Sequence, residues 1–355
     1  MTGLTGALRR TLGAAASVLV VAFGFYLGLA IHYWIPWPVP LRQAGSFLFP
    51  LLVWALWFAP GPWRAVRKGA AIGAIAVLFA AFLLKEPAEQ DWIALQAHNP
   101  TAQIDGDMAT IHNFRDALHR PGQPSVPRWT TATFDLSTLT GADLIIQPFG
   151  DMQALAHVML SFNFADGRHV VASIEARQAK GVSFDALAGF FRRDPIYPEI
   201  GTERDIIWNR FARTPPDEVQ IYPLRADPAA IRLYFERVLA FINRVDARPI
   251  FYSTLRESCM TTLMNLAPES FASVPWHDVR RWIPGYALSL FQQLGLVADG
   301  MTPEEMARRH GLRDGVRSPE AFPSDAAWSA YLRSELHLGG TRNARLQPAV
   351  PAAGQ

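Results

Sequence analysis

The stretch AHVMLSFNFADGRHVVASIEAR, residues 156–177, carries the strongest fold signal in the chain. Both of its arms are rich in β-branched and aromatic residues, which favour strands. Asp166 and Gly167 stand between the arms, and an Asp-Gly pair supports a tight turn. The stretch therefore predicts an antiparallel hairpin.

The turn also predicts which residues face each other across the hairpin. Phe164 would pair with Arg168 or His169, so His157 falls opposite the end of the second arm that starts at Glu175. A carboxylate there can fix the tautomer of the imidazole while the other ring nitrogen accepts a proton. Two alternatives remain open. His157 would merely have its hydrogen bonds satisfied within the sheet, or Glu175 would form a surface salt bridge with an arginine.

Further elements surround the hairpin. Strand-like runs rich in β-branched and aromatic residues are DLIIQPF (143–149), DIIWNRF (205–211) and VQIYPL (219–224). The run PAAIRLYFERVLAFINRV (228–245) has apolar residues at helical spacing, and a second helix is predicted to begin near Ser258. The predicted fold class is α+β.

The amino-terminal part is much more apolar than the rest. Half of all residues are hydrophobic and 18% are charged, and three runs without acidic or basic side chains are 11–31, 43–63 and 69–84. At about 1.5 Å per residue the first is long enough for a hydrocarbon core of about 30 Å. The third run is shorter. Two alternatives to a simple span remain open for it: it would tilt into a hairpin with the second run, or it would lie at the membrane interface. We predict about three transmembrane helices.

The cations predict the orientation of these helices. Arg9 and Arg10 precede the first run, and Arg64, Arg67 and Lys68 lie between the second and third. Because cytoplasmic loops are enriched in Lys and Arg, the amino terminus lies in the cytoplasm and the chain beyond residue 85 faces outward. The predicted organisation is a membrane anchor (1–85), an exported domain (86–338) and a disordered tail (339–355).

Cys259 is the only cysteine in the chain. A chain with one cysteine cannot form an intramolecular disulfide or a cysteine-based structural zinc site. Ser258 is a predicted N-cap, so Cys259 would be the first helical residue, where the positive end of the helix dipole favours a thiolate. A nucleophile activated by His157 and Glu175 is one interpretation, and a buried structural cysteine is the other. The net charge of +2 gives no reason to expect a nucleic acid partner, and we predict no metal or cofactor.

Five ordered blocks carry a resemblance to a known family. They are HNFRD (112–116), AHVMLSFNFADGRHVVASIEARQAKG (156–181), GTERDIIWNR (201–210), VQIYPL (219–224) and RPIFYSTLRESCMTTL (248–263). Together they resemble the Lnb-type periplasmic domain, a family that includes lipoprotein N-acyltransferases. The resemblance implies a permuted papain-like core, with an antiparallel sheet and a nucleophile helix, in which histidine precedes cysteine. The order of His157 and Cys259 agrees with this.

The resemblance also implies a function. Cys259, deprotonated by His157, would take an acyl group from a membrane phospholipid as a thioester. The acyl group would then pass to the α-amine of a diacylglyceryl-cysteine lipoprotein. The implied location is the bacterial inner membrane, with the carboxyl-terminal domain in the periplasm. Two other classes stay open: a papain-like cysteine peptidase or amidase of the cell envelope, and a non-catalytic membrane-tethered module.

Five further residues lie in matching blocks. Arg115 and Asp116 would line or brace the site, or form a salt-bridged structural turn. Arg177 and Tyr252 would meet a phosphate or carbonyl oxygen, or serve in packing. Ser258 departs from the family, which commonly has asparagine before the cysteine, so any amide role is lost although the helix can still be capped. His112 is the less favoured candidate for the base.

Overall fold

The computed structural model describes residues 2–346, except positions 36, 151, 153, 184, 272, 273, 299 and 314. The chain divides into two units. The first comprises Met1–Ala88, Asp185–Pro195 and Phe251–Ser253, and the second Glu89–Phe184, Ile196–Ile250 and Thr254–Gln355. Of the predicted tail, residues 347–355 lie outside the described part of the chain, whereas the last helix extends as far as Leu346.

Three helices make up most of the first unit: α1 (Thr2–Trp34), α2 (Val39–Phe58) and α3 (Arg64–Leu84). Each is long and apolar enough to cross a membrane, as the three apolar runs predicted. Pro50 does not interrupt α2, which continues through it. Gly28 lets α1 and α2 approach closely, because a Cβ there would lie 2.7 Å from the Ser46 carbonyl oxygen.

A short segment distant in sequence completes this unit. Its backbone carbonyl at Phe191 accepts a hydrogen bond from Trp34 Nε1 at 2.6 Å, and Asp185 accepts one from the Tyr33 hydroxyl at 2.8 Å. Arg192 donates to the Phe82 carbonyl at the end of α3, also at 2.6 Å. Residues 185–195 are therefore held by side chains and carbonyls at the ends of α1 and α3, which the sequence did not indicate.

The second unit is built on one mixed sheet. Its strands are β1 (Thr101–Asp105), β2 (Met108–Arg115), β3 (Trp129–Asp135), β4 (Leu139–Pro148), β5 (Ala156–Phe164), β6 (His169–Ala176), β7 (Ile196–Gly201), β8 (Val219–Pro223) and β9 (Gly311–Leu312). The order is β1-β2-β7-β6-β5-β4-β8-β9, with β3 also paired to β2. Among the described residues all pairs are antiparallel except β2 and β7, which meet in parallel where Arg115 faces Gly201. The prediction of an α+β domain after membrane helices is confirmed.

Helices follow or interrupt these strands: α4 (Glu203–Ile206), α5 (Trp208–Phe211), α6 (Pro228–Ala247), α7 (Cys259–Leu266), α8 (Ala287–Gln293), α9 (Pro303–His310) and α10 (Asp325–Leu346). The amphipathic helix predicted at 228–245 is present as α6, capped by Asp227. The strand predicted at 205–211 is wrong, because α4 and α5 occupy it. Thr202 starts the first of them by accepting a hydrogen bond from the Asp205 N–H.

Helices cover both faces of the sheet. On β5, Met159 packs in a cluster with Trp208 of α5 and Trp328 of α10. Phe162 lies three positions further along and so faces the other side, where its ring packs on Phe235 of α6 with centroids 4.7 Å apart. The central strands β4, β5 and β6 are therefore buried on both faces, and polar side chains on them need partners inside the domain.

Candidate active site

The hairpin has the predicted register. The Phe164 N–H donates to the Arg168 carbonyl at 3.0 Å, and Met159 pairs with Ser173. Continued by two residues, this ladder sets His157 across from Glu175. Their side chains meet, with 3.0 Å between His157 Nε2 and Glu175 Oε1.

A serine completes the contact between these two residues. Ser173 is fully buried, and its hydroxyl lies 2.6 Å from His157 Nε2 and donates to Glu175 Oε1 at 3.0 Å. Because Nε2 faces two acceptor oxygens, it is the nitrogen that carries hydrogen. The nitrogen left to act as a base is Nδ1.

Cys259 begins α7, as predicted. Ser258 caps the helix by accepting from the Thr261 N–H at 3.3 Å, and the Thr261 hydroxyl accepts in return from the Ser258 N–H. The helix packs against β5 and β6, which brings Cys259 into a hydrogen bond with the imidazole of His157. The thiol is only 3% exposed and forms no disulfide.

The electrostatics of the pair favour charge separation. Burial by itself lowers the pKa of the His157 imidazole, but the Glu175 carboxylate and Cys259 outweigh burial and raise that pKa to about 10. Burial works in the opposite direction on Glu175, yet His157 and Arg210 hold the pKa of its carboxyl well below the usual range. The imidazole of His157 is therefore favoured in its charged form beside the sulfur of Cys259.

Two buried charged residues that the sequence did not single out also belong to this site. Arg210 on α5 donates to Glu175 Oε1 at 3.1 Å, and Glu199 on β7 lies behind it, with 3.8 Å between Arg210 Nη1 and Glu199 Oε2. Both are at most 4% exposed. The one available signal was the presence of charged residues within apolar runs, since Arg210 interrupts the run from Ile206 to Phe211.

Arg115 lies in the same buried network, one residue further from the thiol. Its guanidinium binds both oxygens of Asp205 at 2.8 Å and also contacts Glu199. Asp116 points elsewhere, to Arg128 and Arg204. Arg115 therefore joins the network around Arg210 through Glu199, and its role in bracing the site stays a prediction. The contacts of Asp116 fit the salt-bridged turn.

The contacts of Arg177 and the position of Tyr252 do not test their predicted roles. Arg177 donates to the carbonyls of Gln96 and Ala97 and stacks on Trp92, with 4.4 Å from its Cζ to the ring centroid. Tyr252 belongs to the first unit. His112 Nδ1 lies 3.3 Å from the Thr131 hydroxyl on β3. The proposed roles of Arg177 and Tyr252 in binding substrate remain predictions.

One group of side chains has the composition of a metal site. Asp143, His169 and Glu203 each place a ligand atom within 4.8 Å of the others. The guanidinium of Arg333 on α10 lies among them, and its Nη2 donates to Glu203 at 2.9 Å and contacts His169 Nδ1 at 3.0 Å. An arginine thus supplies the positive charge that these carboxylates need. The prediction that the protein uses no metal or cofactor stays a prediction.

Comparisons with known proteins bear on the domain that carries this site. Residues 125–285 match the family model described as the Lnb N-terminal periplasmic domain. No curated protein and no solved structure matches the chain. The matched range includes His157, Glu175 and Cys259, and it extends beyond the last of the five sequence blocks. The match confirms the resemblance: residues 125–285 are similar to the Lnb N-terminal periplasmic domain, in a chain that also has three helices long and apolar enough to cross a membrane.

Proposed function

We propose that this protein is a cysteine-dependent lipoprotein N-acyltransferase of the bacterial inner membrane. It moves an acyl chain from a phospholipid to the α-amine of a diacylglyceryl-cysteine lipoprotein, through a thioester on Cys259. The observation that carries the proposal is a thiol at a capped helix start, hydrogen-bonded to a histidine whose other nitrogen faces a half-buried carboxylate. The family match supports a role in lipoprotein processing.

The first half-reaction loads the enzyme. The Cys259 thiolate attacks the carbonyl carbon of a phospholipid ester, and the ester C–O bond breaks as the thioester forms. The departing alkoxide takes its proton from the His157 imidazolium and leaves as lysophospholipid. The Cys259 N–H is the first candidate donor to the oxyanion, because the cap engages the N–H of Thr261 instead.

The second half-reaction transfers the acyl group. The lipoprotein α-amine attacks the thioester carbonyl, His157 accepts a proton from the attacking nitrogen, and the C–S bond breaks to regenerate the thiolate. Glu175 and Ser173 hold the imidazole with Nδ1 toward the sulfur throughout. Two displacements thus replace one difficult transfer between lipids.

Two structural features support a lipid substrate. Helices α1, α2 and α3 anchor the chain in a membrane, so the domain meets lipid substrates without leaving the bilayer surface. An apolar cavity of about 250 Å³ lies at the carboxyl end of the nucleophile helix, with Met264, Phe271 and Leu296 among its lining residues. It offers a hydrocarbon chain a place in the domain that carries the thiol.

Trapping the intermediate tests the proposal. The full chain in detergent micelles is incubated with phospholipid, quenched in acid and examined by mass spectrometry of the peptide that contains Cys259. An acyl adduct that hydroxylamine removes supports transfer. A polar-substrate amidase would give no lipid adduct although its thiol is reactive, and a non-catalytic module would have an unreactive thiol.

Variants test the named roles. We expect Cys259→Ala and His157→Ala each to abolish N-acylation in a host strain that depends on this chain, while the domain still unfolds cooperatively. His112→Ala is the matched control, because His112 contacts Thr131 rather than the thiol, and it should retain activity. Full N-acylation by the Cys259→Ala chain would exclude both enzymatic functions.

A further inference from the structure

Arg210 is the buried cation of the site, and the two half-reactions give it no chemical step. We propose that Arg210 is a positioning residue, which holds Glu175 ionised and directed at His157 and thereby keeps the Cys259 thiol in its reactive deprotonated form. The inference rests on the proposed function, since it assigns Arg210 to the same thiol site.

The guanidinium is fixed on several sides. Nε donates to the Gln147 side chain at 3.2 Å, and Nη1 donates to the Ile206 carbonyl at 2.7 Å. Nη2 is thereby aimed at Glu175 Oε1, 3.1 Å away. Gln147 is itself the cross-strand partner of His157, and its amide donates to Asp217 at 2.7 Å. The planar fork of an arginine can serve these directions together, which a lysine cannot.

The charges explain why this position needs a cation. The charged groups around Arg210 come from three strands: His157 on β5, Glu175 on β6 and Glu199 on β7, with Arg115 on the far side of Glu199. Burial already raises the pKa of the Glu199 carboxyl, and the charge on Glu175 acts in the same direction. Arg210 is one of the groups that lower the pKa of the Glu175 carboxyl, so that pKa rises when the guanidinium is removed.

Protonation of Glu175 makes the thiol less reactive. A protonated Glu175 no longer stabilises the imidazolium, and a less stable imidazolium stabilises the thiolate less. Removal of the positive charge of Arg210 also disfavours the thiolate directly. Both effects raise the pH at which Cys259 becomes nucleophilic.

The test is the pH dependence of alkylation at Cys259 by iodoacetamide, which needs no acyl donor or acceptor. The full chain in detergent is used, and because it has one cysteine the mass gain reports one site. For Arg210→Gln we expect the acid limb of the rate profile to move up by about one pH unit, so the rate below the limb falls about tenfold. Arg210→Lys keeps a charge without the fork and should show a smaller shift in the same direction.

Arg333→Gln is the matched control. It removes another partly buried guanidinium, which bridges Asp143 and Glu203 in the same domain, and it should leave the alkylation profile unchanged. An unshifted or acid-shifted profile for Arg210→Gln overturns the inference, as does an equal shift for Arg333→Gln. If Arg210→Gln fails to unfold cooperatively, Arg210→Lys decides, and an unshifted profile overturns the inference.

The same data separate this inference from the proposed function. If the alkylation rate of the wild-type chain rises only near the ordinary thiol pKa of about 8.5, Cys259 is not activated, and both proposals are overturned. A wild-type limb at lower pH that Arg210 variants do not move would leave the proposed function standing and overturn the role of Arg210 alone.

Discussion

Glu175→Gln removes one half-buried charge from the site and keeps the size of the side chain. In the native chain the carboxylate accepts hydrogen bonds from His157, Ser173 and Arg210. A glutamine oxygen can still accept these bonds but cannot stabilise an imidazolium by charge. Burial then opposes the charged ring with only Cys259 acting against it, so we expect the pKa of His157 to fall.

The energetic effect follows from the raised pKa of His157. A rise from 6.5 to about 10 favours the folded state by about 4 kcal/mol at pH 7, at about 1.4 kcal/mol per unit. The Glu175→Gln variant no longer has to desolvate a carboxylate on folding, which offsets part of this loss. The expected net loss of unfolding free energy is therefore about 2–3 kcal/mol. For a domain of this size that lowers Tm by about 4–12 °C.

The sign of the pH dependence is also defined. Since the folded-state pKa of His157 lies above its unfolded value, its contribution is complete below pH 6.5 and disappears as the pH rises through 10. The pKa of Glu175 is depressed, so its contribution is present above its ordinary value of 4.5 and lost as the pH falls. The difference in Tm between native chain and variant should therefore be largest between these limits.

Thermal unfolding followed by the fluorescence of the eleven tryptophans measures this difference from pH 5 to pH 10.5. Glu269→Gln is the control, because the Glu269 side chain is 82% exposed and its ion pair with Arg237 should contribute little. A Tm difference for Glu175→Gln that is equal at pH 7 and pH 10.5 would refute the reasoning that His157 is charged in the native chain.

Substitutions at three further positions test how the site is supported. Ser258→Ala removes the cap of α7 and should cost about 1 kcal/mol in thermal unfolding, whereas Ser258→Asn should retain most of it. Gly201→Ala would place a Cβ 2.4 Å from the Arg115 carbonyl oxygen, so we expect a large fall in Tm, and unchanged unfolding would contradict the close approach of β2 and β7. Asp116→Asn should lower Tm but leave the pH profile of Cys259 alkylation unmoved, since its partners lie away from the thiol.

The local parts of the site could be predicted from the sequence because their signals are local. Asp166 and Gly167 define the turn, and the turn defines which residue faces His157. Ser258 before an apolar helical run likewise defines where α7 begins. These predictions need only the geometry of a hairpin and of a helix start.

The remainder of the site depends on tertiary packing. The run from Asp205 to Phe211 has the composition of a strand, but Thr202 caps a helix there and the apolar side chains pack against the sheet from one side. Arg210 therefore comes to Glu175 from a helix that composition did not indicate. Glu199 arrives on β7, which joins the sheet beside β6. No spacing rule connects these residues, because their partners are distant along the chain.

The buried charges also suggest how one histidine can serve both half-reactions of the proposed transfer. The pKa of His157 is high partly because Cys259 lies beside it, and that contribution exists only while the sulfur is charged. When the sulfur becomes a thioester, this charge is lost and the imidazolium becomes a stronger acid, at the point where the leaving alkoxide needs a proton. The neutral ring can then accept a proton from the attacking amine, and the thiolate that departs raises its pKa again. Glu175 keeps the ring oriented through both changes, and Arg210 keeps Glu175 ionised beside it.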